Sequence, residues 1–260
     1  MSAENPAAGT TTTAPLPSGE VDASAPLLEL SGVDIAAGDT LICRDISLTI
    51  RPGECHILLG PNGSGKSTLL GGVMGIHPFR IVSGTARLAG RDIAEMTVDE
   101  RARAGVGMAF QRPPHLKGVS VERFAHAIRA KAALSSAASD LGLTHLLERD
   151  VNAGFSGGEA KRWEVLKLAL QGPSLCLLDE PESGVDLQHV GVVGDAVNRL
   201  LSEPDRSGQP RGALVITHTG FILDSLQADI AHLLVDGRIV ASGDPREMLD
   251  SIRRNGYRAA

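Results

Sequence analysis

No apolar run in this chain is long enough to cross a membrane. The longest, residues 175–178 and 213–216, are strand-sized, against the roughly 20 residues a spanning helix needs. Direct membrane insertion is therefore not expected. Positive charge is also in short supply: 25 Lys and Arg face 31 Asp and Glu, for a formal charge of −6, whereas a nucleic-acid-binding surface shows itself as a basic stripe. No nucleic-acid partner is expected. Cysteine is scarce too. Cys43, Cys55 and Cys176 are odd in number, form no C-x-x-C spacing and lie in or beside apolar segments, which disfavours disulfides and a cysteine-based metal site. The expectation is buried free thiols in a reducing compartment.

The first 26 residues lack Lys, Arg and any apolar period, and are rich in Ala, Thr, Ser and Pro. A segment of that composition cannot offset its ordering entropy, so residues 1–26 are expected to form a disordered tail. They offer neither the positive start and apolar core of a signal peptide nor the arginines of a mitochondrial presequence, so a cytoplasmic location is expected. The chain as a whole, 260 residues with 42% hydrophobic and 22% charged, has the usage of ordinary soluble proteins. Its length suits one large α/β domain over residues 27–260 with a small lobe inserted.

Short alternating strands are predicted at residues 27–30 and 46–50, then a buried strand at 57–59 that runs into a glycine-rich loop. A helix over 66–76, a strand over 85–88, a short helix ending before Gly105 with Thr97, Asp99 and Glu100 at its start, and a strand over 106–110 follow. Arg112-Pro113-Pro114 breaks regular structure, and the Ala- and Leu-rich stretches 121–133 and 135–147 read as an inserted helical lobe. Helices over 157–171, 187–201, 221–226 and 245–254 then alternate with strands over 175–178, 213–216, 231–235 and 238–241. Such alternation implies a mainly parallel core sheet with helices on both faces.

Gly60-Pro61-Asn62-Gly63-Ser64-Gly65-Lys66-Ser67-Thr68 matches G-x-x-x-x-G-K-[ST] between an apolar strand and a helix. The glycines let backbone N–H groups curl around phosphate oxygens, and the helix N-terminus adds a positive dipole. Lys66 reaches the terminal phosphates, and Ser67 offers a hydroxyl to Mg²⁺. Leu175-Cys176-Leu177-Leu178-Asp179-Glu180 reads as a buried parallel strand whose carboxylates emerge at its C-terminal end, where open α/β sheets bind ligands. Asp179 is expected to hold Mg²⁺ through its water shell, and Glu180 to polarise the water that attacks a γ-phosphate. A second glycine-rich stretch, Phe155-Ser156-Gly157-Gly158-Glu159, leads into residues 160–171, which hold no Gly or Pro. It places a second anion-binding helix N-terminus in the chain. One nucleotide uses only one such site, so the second is either redundant or serves a nucleotide held by another copy of the chain.

With both loops in place, the chain resembles the ABC-type ATPases, P-loop NTPases whose signature motif caps the γ-phosphate of ATP bound to the opposite subunit. The resemblance implies a mainly parallel core sheet, an antiparallel β subdomain and an inserted helical subdomain. The catalytic lobe would comprise residues 27–110 and 172–260, and the helical lobe residues 111–171. Ser156, Gly157, Gly158 and Glu159 become the phosphate contacts made in trans. Gln111 becomes the Q-loop residue and a metal contact, Asp186 a nucleotide contact from the D-loop Ser183-Gly184-Val185-Asp186, and His218 the switch histidine. Glu180, His218, Gln111 and Lys66 are then the catalytic residues. Taken singly, Gln111 also reads as a surface amide, Asp186 as a helix N-cap and His218 as a surface imidazole. One family feature is missing: the aromatic that stacks on adenine would fall near Ala37, where Ala36-Ala37-Gly38 offers no ring. Nucleotide affinity is then expected to rest on the phosphates, with loose selectivity for adenine.

Several further stretches are similar to the SufC ATPases of SUF iron-sulfur cluster assembly. They are Cys55-His56, residues 107–114, residues 118–120, residues 151–159, residues 234–244 and Asn255-Gly256-Tyr257. This resemblance implies a SufB- or SufD-like scaffold as partner, docking near residues 111–120, and a second copy of the chain on ATP binding. Closure of the two copies would drive the scaffold's change of shape. The cluster itself is not expected on this chain, whose cysteines are scattered. The nucleotide-binding subunit of an ABC importer would share all the catalytic residues and is the alternative. An ATP-driven switch with negligible turnover is a further one, against which Glu180 speaks.

Overall fold

The computed structural model describes residues 25–257 apart from Thr219. The tail expected over residues 1–26 therefore lies, but for its last two residues, outside the described residues. Two long strands, β1 (Leu28–Ala37) and β2 (Thr40–Ile50), open the fold, and β3 (Cys55–Leu59) leads through the glycine loop into α1 (Lys66–Met74). Next come β4 (Phe79–Leu88), β5 (Arg91–Asp92), α2 (Val98–Ala104) and β6 (Val106–Ala109). A helical segment follows, with β7 (Leu116–Ser120), α3 (Val121–Ala127), α4 (Lys131–Asp140), β8 (Asp150–Val151) and α5 (Gly157–Gln171). The chain closes with β9 (Leu175–Asp179), α6 (Leu187–Ser202), β10 (Gly212–Ile216), β11 (Ile230–Val235), β12 (Arg238–Gly243) and α7 (Pro245–Asn255).

The core sheet has six strands in the order β12-β11-β3-β10-β9-β6, parallel except for the β11–β12 pair. All five residues of β3, β9 and β10 are buried, which is why these strands read as continuous apolar runs rather than alternating ones. Their register sets Leu58 beside Ile216 and Ile216 beside Asp179. The loops that leave β3, β9 and β10 consequently emerge together at the carboxyl edge of the sheet, where the candidate site lies.

A separate antiparallel sheet, β2-β1-β4-β5, packs over α1. Its strands are longer than the alternation predicted: β1 runs to Ala37, β2 starts at Thr40 and β4 starts at Phe79. The reason is a bulge. The register shifts between Leu30 and Val33 on one side of β1 and between Ser31 and Asp34 on the other, which breaks the period-two pattern mid-strand. Gly84 takes φ 81° there, and a Cβ on it would lie 2.3 Å from the Gly32 carbonyl oxygen, so only glycine fits.

The helical segment has its own core, with Trp163 buried and set edge to face against Phe124 at 5.3 Å. Its helices are shorter than predicted. The stretch 121–133 breaks after Ala127 because Arg129 adopts φ 60°, and α4 stops before Gly142 at φ 65°. The rest of 135–147 is a 3₁₀ turn, Thr144–Leu146. The helix predicted over 221–226 is likewise only a 3₁₀ turn, Phe221–Asp224, entered through left-handed Gly220. A segment that short cannot repay helix nucleation.

The three cysteines are buried and free. A buried polar chain crosses the core sheet, in which the His56 and His232 rings meet at 3.0 Å between Nδ1 and Nε2. His56 Nε2 is 3.2 Å from Glu54, and the Ser242 hydroxyl is 2.7 Å from His232 Nδ1. Burial lowers the affinity of both rings for a proton, pushing His232 down to about 4.

Candidate functional site

The glycine loop is held by its neighbours rather than by its own side chains. Gly60 has φ 155°, and a Cβ there would lie 2.1 Å from the Leu234 carbonyl oxygen. Gly65, the N-cap of α1, is left-handed at φ 105°, provides no capping side chain, and packs where a Cβ would meet Cys43 Sγ at 3.1 Å. Gly237 N donates to Ser64 O at 3.0 Å, and Arg44 N donates to Gly237 O at 2.8 Å, tying β2 and the β11–β12 turn to the loop. No acid sits in the first turn of α1. Ser64 Oγ is buried without a partner.

Lys66 is 6% exposed, and its Nζ donates to the carbonyls of Gly60 and Pro61 at 2.8 and 2.9 Å. Burial pushes its pKa down, while the nearby Glu180 and Asp179 carboxylates oppose that. Ser67 Oγ donates to Asp179 Oδ1 at 3.3 Å, which joins the loop to the end of β9. Asp179 is buried, which raises its pKa against the lowering effect of Ser67, Lys161 and Lys66.

Glu180 follows with φ 48°, in the left-handed region where a glutamate is strained. Its backbone is fastened on both sides, with Glu180 N donating to Ile216 O and Ser183 N donating to Glu180 O. Its carboxylate is fastened too: Gln111 Nε2 donates to Oε2 at 2.5 Å, and His218 Nδ1 lies 3.3 Å from Oε1. Lys66, Ser67, Thr68, Asn62, Gly63, Gly65, Gln111, Glu180 and His218 all line one cavity of about 580 Å³, joined by Ile42 and Ser183.

Ser156 and Asp186 lie elsewhere. Ser156 caps α5, its Oγ accepting from Glu159 N at 3.3 Å while Ser156 N donates to Glu159 Oε2 at 2.7 Å, a complete capping box. The Glu159 carboxylate also meets His145 Nε2 at 2.8 Å and is held down to about 2, chiefly by the Ser156 N–H. Gly157 must be glycine, since a Cβ would come 2.2 Å from Gly184 O. Asp186 occupies the N-cap position of α6 but makes no capping hydrogen bond. Ser156, Gly157, Gly158 and Asp186 share a second cavity of about 260 Å³ with Arg162, His189 and Val192, and Lys66 has no part in it. The structure thus collects the predicted residues into two groups, not one.

Helix α5 connects the groups through residues the sequence reading did not single out. Lys161 is 4% exposed, and its Nζ donates to the carbonyls of Gln111 at 2.7 Å and Glu180 at 2.9 Å. Glu164 accepts from Phe110 N and from Lys167 Nζ, both at 2.7 Å. The signal was available: Lys161, Glu164 and Lys167 recur every third residue among apolar neighbours, which puts charge on the buried face of the helix.

The first cavity suits a polyphosphate. Its helix N-terminus has uncapped N–H groups, a buried lysine and an orphaned Ser64 hydroxyl. Among the described residues no cluster of three or more His, Cys, Asp or Glu could cage a metal. The Ser67 hydroxyl and Asp179 carboxylate instead suit a hard cation shared with phosphate oxygens. No described helix is long and apolar enough to cross a membrane.

The ABC transporter family model matches residues 43–183. The chain is 37% identical over 253 residues to the probable ATP-dependent transporter SufC of Escherichia coli K12, covering 89% of this chain and 97% of that one. It is 34% identical to the probable ATP-dependent transporter ycf16 of Cyanophora paradoxa, covering 89% and 93%. Among solved structures, a nucleotide-free ATP-binding cassette from an ABC transporter superposes with a TM-score of 0.74 at 21% identity, covering 89% and 96%. The ADP conformation of another such cassette gives the same TM-score of 0.74 at 22% identity, again covering 89% and 96%. The chain therefore belongs to the ABC transporter family, as a nucleotide-binding ABC-type ATPase similar to SufC.

Proposed function

We propose that this chain is the cytoplasmic ATPase subunit of a SUF-type iron-sulfur cluster assembly system, and that ATP closes two copies head to tail. The loop of one copy would hold the phosphates, and Ser156, Gly157 and Gly158 of the other would cap the γ-phosphate, with Asp186 beside them. The observation that carries this reading is the separation of the two helix N-termini into different cavities of one chain, the second sharing no lining residue with the first. The similarity to SufC supports the assignment to cluster assembly.

In the closed pair Lys66 would turn from the Gly60 and Pro61 carbonyls to the terminal phosphate oxygens, and the left-handed Glu180 would accept the proton of the attacking water. Gln111 and His218, one on each carboxylate oxygen, hold that base in its orientation. Ser67, Asp179 and Gln111 would hold Mg²⁺, which would supply positive charge to the phosphates. The products are ADP and phosphate. The catalytic lobe, residues 27–110 and 172–260, would then move against the helical lobe, residues 111–171. Gln111 lies at the junction, and the Lys161 clamp on the Gln111 and Glu180 carbonyls ties the signature helix to the reacting end.

A SufB- or SufD-like scaffold would dock on the loop that follows Gln111 and read that motion. Affinity purification of the tagged chain from its own cells tests the partner. A SufB-like protein in stoichiometric amount is the expected result, and a membrane permease in its place would assign the chain to an importer instead.

A further inference from the structure

The chain reaches Gln111 from the edge of the core sheet. Strand β6 stands at that edge and pairs with β9 only as far as Ala109. Phe110 N, the next backbone donor, therefore leaves the ladder at a partly buried place where an N–H needs an acceptor. That acceptor is Glu164 Oε2, at 2.7 Å. Helix α5 lies close enough over β6 to supply it, since a Cβ on Gly107 would come 2.7 Å from Leu168 Cδ2.

Glu164 is 2% exposed, and the same carboxylate oxygen takes Lys167 Nζ at 2.7 Å. The Lys167 ammonium in turn lies 4.8 Å from the centre of the Phe110 ring. Two side chains one turn apart on α5 thus hold both the backbone and the ring of Phe110. A buried ion pair is a poor device for stability alone, because apolar side chains of similar volume often serve a fold as well or better. What this pair adds is a fixed backbone N–H. One residue further on, Gln111 Nε2 reaches Glu180 Oε2 at 2.5 Å.

We infer that Glu164 is a positioning residue for hydrolysis: by holding Phe110 N it sets Gln111 against Glu180, and Lys167 keeps its carboxylate in place. This rests on the reading of Glu180 as the base and Gln111 as its support. The test is steady-state ATP hydrolysis by full-length chains in which the ion pair is exchanged for side chains of similar shape. Glu164→Met with Lys167→Met removes the acceptor without stranding a charge, and should lower kcat by about tenfold with KM within about twofold. Glu164→Gln with Lys167→Met returns an uncharged acceptor and should bring kcat back to within about threefold of the parent. An equal loss in both variants would overturn the role given to the acceptor. If the methionine pair does not fold, Glu164→Leu with Lys167→Met takes its place under the same expectations.

Gln111→Ala decides the route. In that background the apolar pair should cost less than about twofold more, because the side chain it would misplace is already gone. The same tenfold loss in both backgrounds would mean that Glu164 acts on the fold and not through Gln111, which would overturn this inference alone. Parent-like turnover in Gln111→Ala would contradict the proposed mechanism and overturn this inference with it.

Discussion

The chain carries two helix N-termini that look alike in sequence and differ in chemistry. Helix α1 begins at left-handed Gly65 with no side-chain cap and no acid in its first turn, so its N–H groups and dipole are open to an anion. Helix α5 begins at Ser156 with a complete capping box, so its N-terminus is already satisfied by the Glu159 carboxylate. The first is a ready-made phosphate site. The second can take a phosphate only by sharing or displacing its own cap, which suits a contact made late, when a neighbouring copy arrives already loaded. Capping makes the second site conditional.

The largest expected effect breaks the first site. Glu180→Gln should lower ATP turnover by about 10³-fold, because the attacking water loses its base, while ATP-dependent association of two chains persists in size-exclusion chromatography. Turnover equal to the parent's would remove Glu180 from the role of base. Lys66→Ala should weaken binding of a fluorescent ATP analogue by about a hundredfold, since it removes the buried lysine that lines the glycine-loop cavity.

Changes at the second site should act on association instead. Ser156→Arg should leave nucleotide binding to the single chain within about twofold and abolish both association and turnover. Glu159→Gln sharpens the comparison further, because it keeps a cap acceptor but removes the competing charge. It should tighten ATP-dependent association by about fivefold and cost less than about 1 kcal/mol of stability by thermal unfolding. Weaker association would show that the Glu159 charge assists the phosphate contact rather than competing with it.

A separate effect lies far from both sites. His232 has its folded pKa depressed from 6.5 to about 4 by burial. Its neutral form is therefore the stable one, so stability is full above about pH 6.5 and is lost as pH falls toward 4. The loss is on the order of 3 kcal/mol for that residue at the acid end. His232→Gln should flatten the melting temperature over this window, and an unchanged slope would place the acid sensitivity elsewhere.

Much of this was legible from the chain alone. The buried strands β3, β9 and β10 announce themselves as apolar runs, and each delivers its site residue to one sheet edge by register. The capped helices α2, α5 and α7 begin where Thr97, Ser156 and Asp244 stand. Other features were hidden for physical reasons. The bulge at Gly32 and Gly84 broke the alternation of β1 and β4, and left-handed Arg129 cut a helix that composition alone would extend. Ile42 packs against Gly65 through a tertiary contact that no local pattern marks. The partition of Ser156 and Asp186 into a cavity apart from Lys66 needed the fold as well.

The central claim is that a working site takes its loop from one copy and its Ser156 from another. Mixing Lys66→Ala chains with Ser156→Arg chains tests it directly, because each is expected to be inactive alone and only the mixed pair brings an intact loop against an intact Ser156. Recovery of ATP hydrolysis on mixing, to at most roughly a quarter of the parent's sites, is the predicted result. No recovery, or full activity of Ser156→Arg by itself, would contradict the account.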